Sequence, residues 1–486
     1  MTARSPVEPP TTRTGPLVAV LAFAGIVASL TQTLVVPLLV ELPKIFDTAP
    51  SNTSWVITVT LLASAVITPV AGRLGDMYGK RPVILASFVP LILGSALCAV
   101  ADSVVPMIIG RGLQGLAAGM VPLGISLLKD LLPPAELRGA IALVSSSLGI
   151  GGALGLPIAA AVVQFTDWRI LFWATAAVSL LCLLLIWRVV PSAIAPKRAG
   201  RFDLPGALGL SAALICLLLA VSKGGDWGWG SPLVVGLLGA AVFLFGLWGW
   251  WELRTRDALV DLRVTIRRAV LLTNVASILL GFAMYARSLI LPQILQLPTE
   301  TGYGLGQSML QMGFWMAPAG LAMMLVSPLG AKLSASRGPK TTLIAGAVIT
   351  AASYAVSAFM MNTVWGLLAA NVIAGIGLGF AYGAMPALIM GGVPNTETGS
   401  ANSFNALMRA IGTSFSGAVV GVVLAQMSTQ TGSHLVPTAD GFTTGLFIGC
   451  AVALVAAFAA LAIPGKPAPA RNQDPQHHNE SSAVPK

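Results

Sequence analysis

Residues 72–82 read GRLGDMYGKRP and concentrate charge in a chain of which only 9% is charged. One acid, Asp76, stands among basic residues and glycines: Arg73, Lys80, Arg81, Gly72, Gly75 and Gly79. A carboxylate is stabilised near the positive N-terminus of a neighbouring helix, and basic side chains can pair with acids or lipid phosphates. Glycines permit a tight reversal and a close approach of helices. The stretch is therefore suited to joining helices, and the alternative is a basic cytoplasmic turn.

Three arginines, Arg111, Arg287 and Arg409, lie inside apolar segments. An arginine inside a bilayer is costly, which makes each of them a functional candidate. Gln114 lies one turn from Arg111, and a glycine face accompanies them in GRGLQGLAAG. The alternative for Arg111 is a structural arginine tied to the carbonyls of a broken helix.

A second polar pattern consists of Asn402, Asn405 and Arg409, which are spaced i, i+3 and i+7. This spacing predicts one polar helical face, and its exposure to lipid would be costly. We expect the face to line a cavity. Further predicted lining residues are Thr31, Gln32, Arg111, Gln114, Arg287 and Gln293.

The segment SLGIGGALGLPIAAAV at 147–162 carries small residues at Gly151, Gly155 and Ala159. Small residues four apart allow tight helix packing, and Pro157 bends the helix. A bent and closely packed helix is suited to sealing one side of a cavity.

Several chemistries are excluded. We find no Asp or Glu deep inside an apolar segment, the four cysteines all lie inside such segments, and the three histidines lie in a loop and a polar tail. The chain offers no metal-ligand spacing, no nucleotide-binding sequence and no basic soluble domain for nucleic acid. We therefore expect no enzyme activity, no metal and no cofactor.

The elements that carry these residues are membrane helices. The chain is 56% hydrophobic, and apolar runs long enough to span a bilayer recur along its 486 residues. We count fourteen, which places both termini on one side. Most Lys and Arg then fall on that side, which predicts cytoplasmic termini.

An internal repeat divides the fourteen spans. TPVAGRLGDMYGKRPVILA from Thr68 resembles SPLGAKLSASRGPKTTLIA from Ser327 at the same depth and on the same side. This indicates two parallel six-helix halves with two extra helices between them, an arrangement typical of alternating-access transporters. The predicted domains are a cytoplasmic tail (1–16), a first half (17–190), a linker with two helices (191–268), a second half (269–463) and a disordered cytoplasmic tail (464–486).

GRLGDMYGKRP resembles the loop 2–3 signature of the major facilitator superfamily, and RGLQG resembles its motif B. Residues 147–162 are similar to motif C of drug:proton antiporters, although Leu156 precedes Pro157 and alanines replace two glycines. DWRILFW and GGDWGWGS also fit the fourteen-span drug:proton antiporter family. The resemblance implies that Asp76 forms a charge–dipole latch in one access state, that Gly72 and Gly79 gate with it, and that Arg111 serves proton coupling.

One departure concerns LTQTLVVPLL, where Thr31 stands at the position of a family aspartate. The buried ionisable residues are cations, which suits anionic or neutral substrates better than cationic ones. We predict a monomeric plasma-membrane exporter of hydrophobic drugs or antibiotics, coupled to protons and bound by membrane lipids. The alternative is an exporter of a specific, anionic metabolite with different coupling.

Overall fold

The computed structural model describes residues 14–192, 201–431 and 434–464, so both predicted tails lie largely outside the described residues. Fourteen helices are long and apolar enough to cross a membrane. In chain order they are α1 (Thr14–Thr33), α2 (Trp55–Tyr78), α3 (Lys80–Ala99), α4 in two parts (Val104–Gly115 and Met120–Leu131), α5 (Pro134–Phe165), α6 (Arg169–Val189), α7 (Leu204–Trp227), α8 (Pro232–Arg254), α9 (Arg268–Gln296), α10 (Met309–Arg337), α11 (Pro339–Phe359), α12 (Val364–Gly392), α13 (Thr398–Gln426) and α14 (Ala439–Leu461).

The other elements are short. One-turn helices lie at Pro37–Val40, Leu42–Ile45, Pro50–Thr53, Leu262–Thr265, Thr299–Thr301 and Asn395–Glu397. Strands β1 (Ser428–Thr431) and β2 (His434–Pro437) form an antiparallel hairpin between α13 and α14, with Ser428 opposite Pro437.

The predicted all-α architecture is confirmed. Helices α1–α6 and α9–α14 form two six-helix halves, each with its own apolar core, and α7 and α8 lie between them in the chain. We call the end of the bundle where α1 begins and α14 ends the terminal face, and the opposite end the distal face. Even-numbered helices end at the terminal face.

The extra helices pack against both halves. Leu210 and Leu214 of α7 share one apolar cluster with Ala65 of α2 and Phe404 and Leu407 of α13. The first extra helix, α7, therefore packs against both α2 and α13 where these two helices meet.

Two local expectations were wrong. Residues 72–82, whose resemblance to a loop signature implies a loop, form none, because α2 continues to Tyr78 and α3 starts at Lys80. Gly79 alone reverses the chain, with φ 97° and ψ 145°, a conformation that glycine adopts without steric cost. The glycine face after Arg111 is also interrupted, because α4 breaks at residues 116–119.

Candidate functional site

Asp76 lies where α2 of the first half meets the start of α13 of the second half. Its carboxylate accepts the backbone N–H groups of Gly399 (2.9 Å) and Ser400 (2.7 Å), and the side chain is buried. The first N–H groups of a helix have no intrahelical partner and carry partial positive charge. Asp76 therefore caps α13 across the seam between the halves.

Lys80, at the start of α3, connects the end of α4 to the start of α13. Its ammonium group donates to Asp130 at the end of α4 (2.7 Å), to the Ser126 carbonyl (3.1 Å) and to the Thr398 hydroxyl (2.9 Å). Both partners of the Lys80–Asp130 ion pair are buried. Sequence reasoning missed Asp130, although an acid at the terminal-face end of a span was the available signal.

Further hydrogen bonds join the halves at the terminal face. Ser126 donates to the Thr398 carbonyl (2.9 Å), Lys129 to the Met390 carbonyl (2.6 Å), and Asn402 to the Pro122 carbonyl (2.8 Å). We call this contact, from Asp76 and Lys80 to the start of α13, the polar seam.

Gly72 lets α2 approach α13 closely. A Cβ on Gly72 would lie 2.6 Å from the Ser403 side chain and 2.8 Å from the Gly399 carbonyl oxygen, both on α13. Gly75 allows a similar approach to Leu123 of α4. The two glycines thus serve packing, and Gly79 serves the turn.

The other two charged residues of 72–82, Arg73 and Arg81, have partners outside the polar seam. Arg73 is fully buried and donates to the Asp257 carbonyl (3.2 Å), with the Asp257 carboxylate 3.7 Å away. Arg81 donates to the Trp187 carbonyl at the end of α6 (2.7 Å). Arg73 therefore anchors α2 to the segment after α8, and Arg81 anchors α3 to the end of α6.

The small residues of α5 pack in two directions. Gly151 and Gly155 contact α1 of the same half, through the Ile26 carbonyl and the Thr33 side chain. Pro157, in contrast, packs across the halves against Gly313 of α10. Pro157 therefore belongs to the contact between the halves, whereas Gly151 and Gly155 pack within the first half.

The α5–α10 contact, which we call the apolar seam, is made of small residues. Gly320 of α10 lies against Gly149 and Ala153 of α5. Toward the terminal face it encloses a cavity of about 20 Å³ lined in part by Arg138, Ser334 and Gly383. That volume is about the size of one water molecule.

Arg111 is buried and held by neutral oxygens. It donates to the carbonyls of Val56 (3.4 Å) and Thr31 (3.0 Å) and to the Gln114 side chain (2.7 Å), which donates to Ser95 (2.8 Å). The carbonyls that hold Arg111 belong to α2 and α1, whereas the structural alternative had placed it on the carbonyls of a broken helix. Thr31 contributes its carbonyl here, and its hydroxyl is bound within α1 to Val27 (2.7 Å).

Arg287 occupies a comparable place in the second half. It donates to Asn371 of α12 (3.4 Å) and Ser353 of α11 (2.8 Å) and lies over the Tyr354 ring. Its Nη2 is buried without a hydrogen-bond partner among the described residues.

Arg409 differs from the other two arginines because it is partly exposed. It donates to Asn405 (2.9 Å), and its guanidinium lies 5.1 Å from the centre of the Tyr382 ring. Asn405 in turn donates to Asn274 (2.9 Å) and Ser277 (2.7 Å) of α9. Arg409 has no ion pair with an acid among the residues that the structure describes.

The predicted lining residues do not form one cluster. Thr31, Arg111 and Gln114 meet in the first half, Arg287 lies in the second, and Asn402 belongs to the polar seam. Gln32 and Gln293 are exposed near the distal ends of α1 and α9.

A cavity of about 570 Å³ opens at the distal face. Its walls come mainly from the first half, and Met309 at the start of α10 belongs to the second. Glu41, Asp167, Arg169 and Trp168 give it polar and aromatic groups beside apolar walls. Its size is within the range of small-molecule sites.

Comparisons with known proteins agree with this architecture. An uncharacterized MFS-type transporter of Mycobacterium tuberculosis is 28% identical over 423 residues, covering 85% of this chain and 60% of the relative. This chain therefore spans less than two thirds of the length of that relative. The tetracenomycin C resistance and export protein of Streptomyces glaucescens is 27% identical over 416 residues, covering 85% of this chain and 76% of the relative.

Solved structures show the same fold. The human organic anion transporter MFSD10 (TETRAN) superposes with a TM-score of 0.67 at 16% identity, covering 93% of this chain and 100% of the other. The proton:xylose symporter XylE gives a TM-score of 0.63 at 13% identity, covering 92% and 95%. The Major Facilitator Superfamily family model matches residues 21–417 and 276–486, and the chain belongs to this superfamily of membrane transporters.

Proposed function

We propose that this protein is a secondary-active exporter of hydrophobic drugs or antibiotics that works by alternating access. The observation that carries the proposal is the polar seam, in which Asp76 of one half caps α13 of the other while a ligand-sized cavity opens at the distal face. The Streptomyces glaucescens relative, whose name is tetracenomycin C resistance and export protein, supports the substrate class.

In this proposal the terminal face is cytoplasmic, and the arrangement described is the state in which substrate leaves on the outer side. Return to the inward-open state requires Asp76 to release the N–H groups of Gly399 and Ser400. Gly72 and Gly79 allow the close approach and the turn on which that contact depends. The seam is thus the gate.

Proton entry is the proposed driving force. Arg111, Gln114 and Thr31 form a buried polar network beside α1, and in this proposal they serve coupling or substrate binding. The protein works as a monomer in the plasma membrane, with both termini in the cytoplasm and lipid around its apolar surface.

A second candidate function is export of a specific organic anion. The observation that favours it is Arg409, a partly exposed guanidinium whose partners are an amide and an aromatic ring. A cation held by neutral partners at membrane depth favours an anionic ligand.

A substrate panel in proteoliposomes with an imposed pH gradient tests both functions. The panel holds a lipophilic cation, a neutral hydrophobic antibiotic and an organic anion, and the variants are Arg111→Ala, Asp76→Asn and Arg409→Gln. The drug exporter predicts transport of the first two, driven by the gradient and lost in Asp76→Asn. Glu300→Gln, at an exposed acid in the one-turn helix Thr299–Thr301, is the matched control.

Transport of the anion alone, with loss in Arg409→Gln, would replace the first function with the second. Transport that persists after the pH gradient is collapsed would refute proton coupling. A panel in which no compound moves above empty liposomes would contradict the exporter itself.

A further inference from the structure

Two acids from the extra helices meet in the interior at the terminal face. Asp203 precedes the first turn of α7, and Glu252 lies in the last turn of α8. The residues are 6% and 2% exposed, so both carboxyl groups are removed from water. Neither belongs to the polar seam or to the distal cavity.

Each carboxyl group has one satisfied oxygen and one unsatisfied oxygen. Asp203 Oδ1 accepts the N–H groups of Gly206 (2.9 Å) and Trp251 (3.0 Å), and Glu252 Oε1 accepts those of Trp248 (2.9 Å) and Val260 (3.4 Å). Asp203 Oδ2 and Glu252 Oε2 are buried and have no hydrogen-bond partner in the described chain.

Gly206 brings the two acids close together. The position of a Cβ on Gly206 would lie 3.1 Å from Glu252 Oε1 and nearer still to Asp203 Oδ2. The two carboxyl groups therefore border one small space that glycine leaves open. Two ionised carboxylates so close together and out of water repel each other strongly, and a shared proton removes that repulsion.

The cations near these acids in the described chain have other partners. Arg254 stacks on Trp250 (4.2 Å to the ring centre), Arg263 donates to the Leu253 carbonyl (2.6 Å), and Arg73 pairs with Asp257. A proton is the ligand that this geometry favours, because the unsatisfied oxygens need a donor and no side chain of residues 14–192, 201–431 or 434–464 supplies one.

We propose that Asp203 and Glu252 form a proton-binding site that holds one proton between them at neutral pH. The site lies under the cluster in which α7, Trp248, Leu259 and Val260 pack against α2 and α13. The bound proton stabilises the packing of α7 and α8 against α2 and α13, next to the polar seam. This inference does not depend on the transported substrate.

Infrared spectroscopy of the purified full chain tests the proposal directly. We expect a C=O stretching band of a protonated carboxyl group at neutral pH that shifts in D₂O and disappears at high pH. The band should be lost in Glu252→Gln and also in Asp203→Asn, because either acid alone keeps its N–H donors and ionises. Glu300→Gln should retain it.

Two outcomes overturn the proposal. A wild-type protein without such a band at neutral pH holds no proton at the pair, whatever the variants do. A band that persists in Asp203→Asn shows that the proton is not shared. If Glu252→Gln does not fold, Asp203→Glu serves instead and should shift the band, and an unchanged band again contradicts the site.

Discussion

The two halves make the same turn with different chemistry. Gly79 between α2 and α3 has φ 97° and ψ 145°, and Gly338 between α10 and α11 has φ 87° and ψ 156°. In the first half the turn is flanked by Asp76, buried against α13, whereas the corresponding Ala335 is exposed. The same backbone turn therefore joins two helices in both halves, whereas a carboxylate that caps a helix of the other half accompanies only the turn at Gly79.

The buried arginines Arg111 and Arg287 also occupy similar places in the two halves with different surroundings. Arg111 reaches from α4 toward α1, whereas Arg287 reaches from α9 toward Asn371 of α12, the fourth helix of the second half. Both halves thus hold one guanidinium between their first and fourth helices, supplied from opposite sides. The repeat preserves the place of the charge and not the residue that carries it.

The largest expected difference between the halves concerns their lysines. Lys80→Met removes the cation from the buried ion pair with Asp130, and we expect a loss of about 3–5 kcal/mol in stability. Lys340→Met, in the second half, removes one hydrogen bond to the Ile463 carbonyl and should cost about 1 kcal/mol. Thermal unfolding in detergent measures both. Equal losses would contradict the view that only the first turn carries buried charge pairing.

The next effect concerns the latch itself. Asp76→Asn removes the charge from two hydrogen bonds to α13, each worth about 1.5–3 kcal/mol when charged. We expect the closed seam to become at least about tenfold less populated. Alkylation of Ser403→Cys, in a background without native cysteines, reports opening because Ser403 is buried in the seam.

The matched variant in the second half is Ala335→Asp. Its side chain lies at an exposed position, so alkylation of the same cysteine should stay at the wild-type rate. A rise as large as that in Asp76→Asn would mean that charge at either turn controls the seam.

Gly72→Ala should have a smaller effect than loss of the latch charge. The added methyl group meets Ser403 and the Gly399 carbonyl, and such overpacking costs about 1–3 kcal/mol. Ala331, its counterpart, already carries a methyl group, and Ala331→Gly should cost no more than about 1 kcal/mol. The alkylation rate of Ser403→Cys separates the two, and a neutral Gly72→Ala would refute close packing as the role of this glycine.

The smallest difference is expected between the buried arginines. Arg111→Lys loses several hydrogen bonds to neutral oxygens, whereas Arg287 already has an unpartnered Nη2. Arg287→Lys should therefore be milder by about 1 kcal/mol in thermal unfolding. A larger loss of stability in Arg287→Lys than in Arg111→Lys would indicate that Arg287 has a partner that stabilises it more than Asn371 and Ser353 do.

The sequence predicted the spans, the repeat and the arrangement of the halves because apolar length and periodicity are local properties. It did not predict that Gly79 is the only residue between α2 and α3, since the last turns of α2 are held in place by packing on α13. It missed Asp130, Asp203 and Glu252 as buried acids, because their burial depends on helices distant in the chain. The scattering of Thr31, Arg287 and Asn402 has the same cause.

The small cavity beside Arg138 and Ser334 has a mechanical consequence. It lies on the apolar seam, where sliding of α5 past α10 exchanges weak contacts between small residues, whereas separation of α2 from α13 breaks charged hydrogen bonds. We therefore expect the halves to rotate about the α5–α10 contact. In that motion α2 separates from α13, whereas α5 and α10 stay packed. The rate at which the terminal face opens should then depend on the few hydrogen bonds of the polar seam. A larger side chain in the cavity should hinder the sliding of α5 past α10 without changing those hydrogen bonds.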